Sequence, residues 1–174
     1  MKLGGLRPLD DRKIVERVLK GETEAFNLLV RRWERPIYNF IVRMIGDREE
    51  AMDLCQDAFM KAYRELGTLK DLDRFSSWLY RIAHNTCFSK LRKDSGKSFV
   101  ELEPEIRASR APLESRLAVE KALNHLPEEQ REVVVLKVFH SLKFEEIAAI
   151  QEAPVSTVKS RLYMGFEKLR SILE

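Results

Sequence analysis

The chain is poor in the residues that punctuate β-structure: seven glycines and six prolines in 174 residues leave few turns and favour helices over many short strands. Cysteine is scarcer. Cys55 and Cys87 are the only two; far apart and inside helical patterns, they read as small buried hydrophobes, with a disulfide as the lesser alternative. His84, His125 and His140 make no metal-ligand spacing with them, and there is no glycine loop suited to phosphate. An enzyme therefore has little support, and no cofactor or metal is expected. No apolar run approaches the ~18 residues of a membrane span, and the opening MKLGGLRPLDDRK lacks the apolar segment of a signal peptide. The expectation is a cytoplasmic protein without membrane insertion.

A strong excess of one charge is also missing. The formal net charge is +3, too small to name a polyanionic partner, so the distribution has to decide. Arg74, Arg81, Lys90, Arg92 and Lys93 fall in a stretch free of acids, whereas Glu128 to Glu152 is predominantly acidic. The charge is segregated.

What is present is helical periodicity. Hydrophobic content of 44% beside 34% charge fits a soluble globular protein. Ile14, Val15, Val18 and Leu19 pattern a short helix over 10–20, ended by Gly21. Apolar residues three or four apart from Phe26 to Met44 pattern a second, with a kink or break expected at Pro36. Asp47 predicts a helix start, with Glu50 reciprocating three residues on, and Ala51, Leu54, Cys55, Ala58, Phe59, Ala62 and Leu66 form its buried stripe as far as Gly67. A further helix opens near Phe75, its apolar side formed by Phe75, Trp78, Leu79, Ile82, Ala83 and Leu91. Trp33 and Trp78 read as core, and His125 and His140 as residues near helix ends. Between Asp94 and Pro112 the pattern dissolves into turn formers and prolines, which marks a domain boundary. Four shorter helices follow, over 113–125, 127–139, 143–150 and 155–173.

The last two have the pattern of a helix-turn-helix. Pro154 forces the chain out of the first helix, and Ala148 and Ala149 are small enough for a close crossing. In the second helix Val158, Leu162, Phe166, Leu169, Ile172 and Leu173 share one arc, the expected core. Ser156, Ser160, Tyr163 and Met164 project to the far side, with Thr157, Lys159 and Arg161 between. Hydroxyls and long cations near the N-terminal end of such a helix suit base edges and phosphates. A solvated surface helix would carry similar charges. Glu152 stands in the turn where glycine is usual, and Lys143 where a Ser or Thr cap is expected; each costs about 1 kcal/mol.

Three stretches, DREEAMDLCQDAFMKAYREL, FSSWLYRIAHNTCFSKLRK and LPEEQREVVVLKVFHSLKFEEIAAIQEAPVSTVKSRL, in this order and flanking a linker, resemble the extracytoplasmic-function (ECF) sigma factors of bacterial RNA polymerase over nearly the whole chain. The resemblance implies an all-α fold: two small helical domains, 1–93 and 113–174, joined by a flexible linker, 94–112, the second domain containing the helix-turn-helix. It implies a sigma factor that binds core RNA polymerase and directs promoter-specific initiation. Asp53, Gln56, Asp57 and Met60 would dock on polymerase. Leu69, Arg81, His84, Asn85, Phe88, Ser89 and Arg92 would capture the melted non-template strand of the −10 element, and Ser156, Thr157, Lys159, Ser160 and Arg161 would read duplex promoter DNA at the −35 element. It also implies an anti-sigma factor as inhibitor, and a linker whose Glu101, Glu103 and Glu105 suit a basic channel. The competing reading is a stand-alone helix-turn-helix regulator that binds duplex without polymerase, although no dimerisation heptad is apparent.

Overall fold

The computed structural model describes residues 10–94 and 113–174, with side chains in the second segment from residue 118 onward. The expected linker lies outside the described residues apart from Asp94, and the reading of Glu101, Glu103 and Glu105 lies outside them with it. Helices α1 (Asp11–Leu19), α2 (Phe26–Ile45), α3 (Arg48–Glu65) and α4 (Phe75–Lys93) come first, followed by α5 (Leu113–Asn124), α6 (Glu128–Val134), α7 (Phe144–Gln151) and α8 (Val155–Leu173). No strand occurs among the described residues.

Local chemistry sets the helix limits. Gly21 at φ 102° and Gly46 at φ 80° take the left-handed backbone that releases the chain after α1 and α2. Asp47 Oδ1 then accepts the Glu50 N–H at 2.9 Å to open α3. The reciprocal half of that box is not what the Glu50 carboxylate does: it meets Lys90 Nζ of α4 at 2.6 Å. The break expected at Pro36 is absent, and α2 runs unbroken through it. An interior proline costs about 3 kcal/mol. Leu29, Ile37, Phe40 and Ile41, fully buried on both sides of it, each contribute about 1.5–3 kcal/mol, which is enough to hold the helix together.

In the first half, Ile14, Val15, Leu29, Phe40, Met44, Ala58, Phe75 and Leu79 make the core, with Trp33 and Trp78 half-buried at its rim. Cys55 and Cys87 are buried free thiols. Burial pushes the Cys55 thiol up to about 12, so it stays protonated and unreactive. In the second half, α6 continues into a π-helical turn, Val135–Phe139, where a single helix was expected, and Val133 to Leu136 are buried in succession.

Of the two alanines expected at the helix-turn-helix crossing, Ala148 is partly buried against the core and Ala149 is exposed. A separate close approach, of α8 to α6, lies at Gly165, where an added Cβ would sit 3.0 Å from Val134 Cγ2. The expected core arc of α8 also ends early. Val158 and Leu162 are buried and Leu169 partly so, whereas Phe166, Ile172 and Leu173 are exposed. α5, α6 and α7 all pack against α8, but they leave these three side chains uncovered.

The two halves pack directly on each other, a relation the sequence left open. α4 lies against α2 and α3 on one side and α7 on the other, and α2 meets α5, α6 and the π-helical turn. Tyr80, outside the expected apolar side of α4, is accordingly buried, and Cys87 is buried as expected.

Candidate functional site

On α3 the burial of Ala51, Cys55, Ala58, Phe59 and Ala62 turns Asp53, Gln56, Asp57 and Met60 outward, all exposed as expected. The structure adds Met52 and Tyr63, exposed large apolar residues beside them. Met52, Gln56, Met60 and Tyr63 form one column at helical spacing, and Asp53 and Asp57 an adjacent one. Acids beside an apolar spine suit a partner that presents arginine around an apolar patch. Neither Met52 nor Tyr63 was assigned to this face or to the buried stripe from the sequence, although their spacing from Gln56 and Met60 puts both there.

The residues expected on the strand-capturing face of α4 divide into groups. Asn85, Ser89 and Arg92 are exposed, and Arg92 Nε donates to Phe88 O at 3.2 Å within the helix. Phe88 is half-buried under the His84 ring, centroids 4.4 Å apart. Arg81 and His84 face the second half of the molecule. Arg81 pairs with Glu152, and His84 Nδ1 lies 2.6 Å from Glu132 Oε1. Leu69, expected beside the melted strand, is 9% exposed and packed in the core.

On α8, Ser156, Lys159 and Ser160 are exposed along the first turns and Thr157 is half-buried. Lys159 Nζ lies 5.4 Å from the Phe144 ring centroid. Arg161 is held inward: its Nη1 donates to Gln151 Oε1 at 2.9 Å and its Nη2 to Glu129 Oε2 at 2.6 Å. Tyr163 and Met164 are exposed beyond it, on the far side as expected. Glu152 adopts the left-handed backbone at φ 51°, the strain its place in the turn predicted. The first turn of α7 is capped from the other direction, the Glu146 carboxylate accepting the Lys143 N–H at 2.7 Å.

Sequence reasoning missed the polar residues between the halves. Arg131, 1% exposed, donates to the carbonyls of Leu123, Met44, Asn124 and Leu126 at 2.8–3.2 Å, joining the ends of α2 and α5 to α6. Burial lowers its guanidinium to about 10, and it stays charged at neutral pH. Glu132 is fully buried, with Oε2 accepting from Gln151 Nε2 at 2.8 Å. Tyr80 Oη is 2.8 Å from His140 Nδ1. Burial raises the Tyr80 phenol, which remains a donor, and burial followed by the nearby Arg43 charge lowers His140 to about 4, which keeps it neutral. Arg43 also pairs with Glu120 at 3.0 Å and lies over the Phe139 ring. The one sequence signal for this interface was the segregation of bases before Lys93 from acids after Glu128.

The geometry is that of two helical units exposing polar faces on α3, α4 and α8. Residues 29–96 match the family model for Sigma-70 region 2, and residues 116–169 the one for Sigma-70 region 4. The RNA polymerase sigma-H factor of Pseudomonas aeruginosa is 35% identical over 94% of both chains. The chain belongs to the ECF sigma factors. The ECF RNA polymerase sigma-E factor of Escherichia coli strain K12 is likewise 35% identical, over 92% of this chain and 93% of its own. Among solved structures, the sigma factor RpoE in complex with the anti-sigma factor NepR from Bartonella quintana matches at a TM-score of 0.72 and 27% identity, over 85% of this chain and 96% of that one. CnrH in complex with the cytosolic domain of CnrY matches at 0.74 and 26%, over 94% and 96%. ECF sigma factors are initiation factors rather than enzymes: this one binds core RNA polymerase and directs promoter-specific transcription. A region 2 beside the helix-turn-helix disfavours the stand-alone regulator.

Proposed function

We propose that the three polar faces divide the work of initiation. Asp53, Gln56, Asp57 and Met60 dock on core polymerase. Arg81, His84, Asn85, Phe88, Ser89 and Arg92 capture the non-template strand of the −10 element, cations on phosphates and the amide and aromatic on bases. Leu69 supports that face from the core. Ser156, Thr157, Lys159, Ser160 and Arg161 read the −35 duplex from the first turns of α8. Residues 1–93 form the polymerase and −10 domain, 113–174 the −35 domain, and 94–112 their tether. The protein acts in the cytoplasm; among the described residues no helix is long and apolar enough to cross a membrane. An anti-sigma factor is its inhibitor, as NepR is named beside the Bartonella relative.

The observation that carries this reading is the exposure of Ser156, Lys159 and Ser160 together at the start of a helix braced by α7. Transcription in vitro with core polymerase and a promoter library tests it. The expected result is start sites sharing paired −35 and −10 elements. Tight, sequence-specific duplex binding by the protein alone, with no polymerase-dependent transcripts, would restore the regulator reading.

A further inference from the structure

We propose that the acidic side of α6 and the α7–α8 turn is a built-in competitor for the strand-capturing face of α4, holding the free protein closed until a single strand displaces it. The proposal rests on the assignment of that α4 face to melted DNA. Its observation is the placement of two carboxylates. Glu152 and Glu132, from the other half of the molecule, stand on Arg81 and His84, neighbours three residues apart on α4. A carboxylate presents to such groups what a phosphate presents: anionic oxygens accepting hydrogen bonds from a cation or an imidazole.

Neither carboxylate is placed where folding alone would prefer it. Glu132 is fully buried, which is costly for a charge unless partners satisfy it, and those partners are His84 and Gln151. Glu152 sits at φ 51°, a backbone that favours glycine, yet it carries the side chain that reaches Arg81. The same polar chain continues to the recognition helix, because Gln151 also accepts from Arg161. Closing the two halves therefore withdraws Arg81 from the strand-capturing face, whereas Arg161 is held by Glu129 and Gln151 of its own half. Asn85 and Ser89 stay exposed. Since phosphate contacts supply affinity and base contacts supply specificity, the closed form loses affinity while its base-contacting side is left in place.

The test uses the full chain and a fluorescent 20-nucleotide single strand of mixed sequence, with binding followed by anisotropy. Domain separation is followed by distances between spin labels at Asn27→Cys and Lys168→Cys, both exposed, with native Cys55 and Cys87 buried. Glu152→Gly removes the carboxylate at a position glycine prefers, so it keeps the fold even if Glu132→Gln does not. The expected gain in strand affinity is about threefold for Glu152→Gly, an exposed pair, and about tenfold for Glu132→Gln, a buried one, each with broadened distances. In an Arg81→Ala background, Glu152→Gly brings no gain. Arg92→Ala, a cation of the same face, weakens strand binding in every background. Unchanged affinity and narrow distances in both glutamate variants, with Arg92→Ala still weakening binding, would overturn the competitor while leaving the strand face intact. Strand affinity indifferent to Arg92→Ala would remove the strand-face reading and the competitor with it.

Discussion

α4 and α8 are both read as nucleic-acid helices, yet they meet their surroundings differently. α8 presents Ser156, Lys159 and Ser160 to solvent and buries one side only. α4 is gripped from two sides, with Leu79 and Ala83 in the first core, Tyr80 against His140, and His84 against Glu132. The difference teaches that a polar helical face is a statement about hydrogen-bonding capacity, not about water. On α8 that capacity is open; on part of α4 another domain has taken it up.

The largest way to break this contrast is Arg131→Met. It strips the donor from the carbonyls of Met44, Leu123, Asn124 and Leu126, and an unsatisfied buried acceptor costs about 1–3 kcal/mol. A loss of about 3–5 kcal/mol in urea unfolding is expected; a loss below about 1 kcal/mol would mean water replaces the guanidinium at little cost.

Acid comes next. His140 is lowered from 6.5 to about 4, so the folded protein holds it neutral beside Tyr80, Phe40 and Arg43. A depressed value contributes stability that is complete above the unfolded pKa and lost as pH falls from 6.5 through about 4. At 1.36 kcal/mol per unit the full loss is about 3 kcal/mol. Thermal melts of wild type and His140→Phe between those pH values should diverge, the variant lacking this share of the slope; parallel curves would place the acid sensitivity elsewhere.

Gly165→Leu presses on the α8 side instead. Its Cβ has 3.0 Å to Val134 Cγ2, and overpacking costs about 1–3 kcal/mol. Duplex binding should fall with it, since α6 braces the reading helix; a variant of wild-type stability would mean that α6 and α8 can part without cost. The smallest effect sharpens α8 internally. Lys159→Ala should reduce the salt slope of duplex binding by about one. Arg161→Ala should do the same with an added loss of about 0.5–1 kcal/mol in stability from its Glu129 and Gln151 bonds. Unaltered slopes in both would move the phosphate contacts off this face.

How far the sequence could be read varies by residue. The start at Asp47, the strained turn at Glu152 and the outward acids of α3 were legible because each depends on neighbours within a turn of helix. Pro36 misled because its local cost was outweighed by burial from elements distant in sequence. Leu69 was expected beside the −10 strand, and only the packed fold shows that its side chain is turned into the core. Ala148 and Ala149 both looked suited to a crossing, but one helix side cannot hold two adjacent residues, and only Ala148 is turned inward.

Periodicity, caps and composition by themselves determined that this chain is helical, where its helices begin, and which sides carry polar groups. These follow from backbone hydrogen bonding and the 3.6-residue turn, which act over a few residues. Tertiary structure alone decided that Glu132 and Arg131 are buried, that Tyr80 meets His140, and that half of the α4 face is occupied by the second domain. Those outcomes join residues 48 to 87 positions apart, and no local preference encodes which of many compatible charges will meet at such separations.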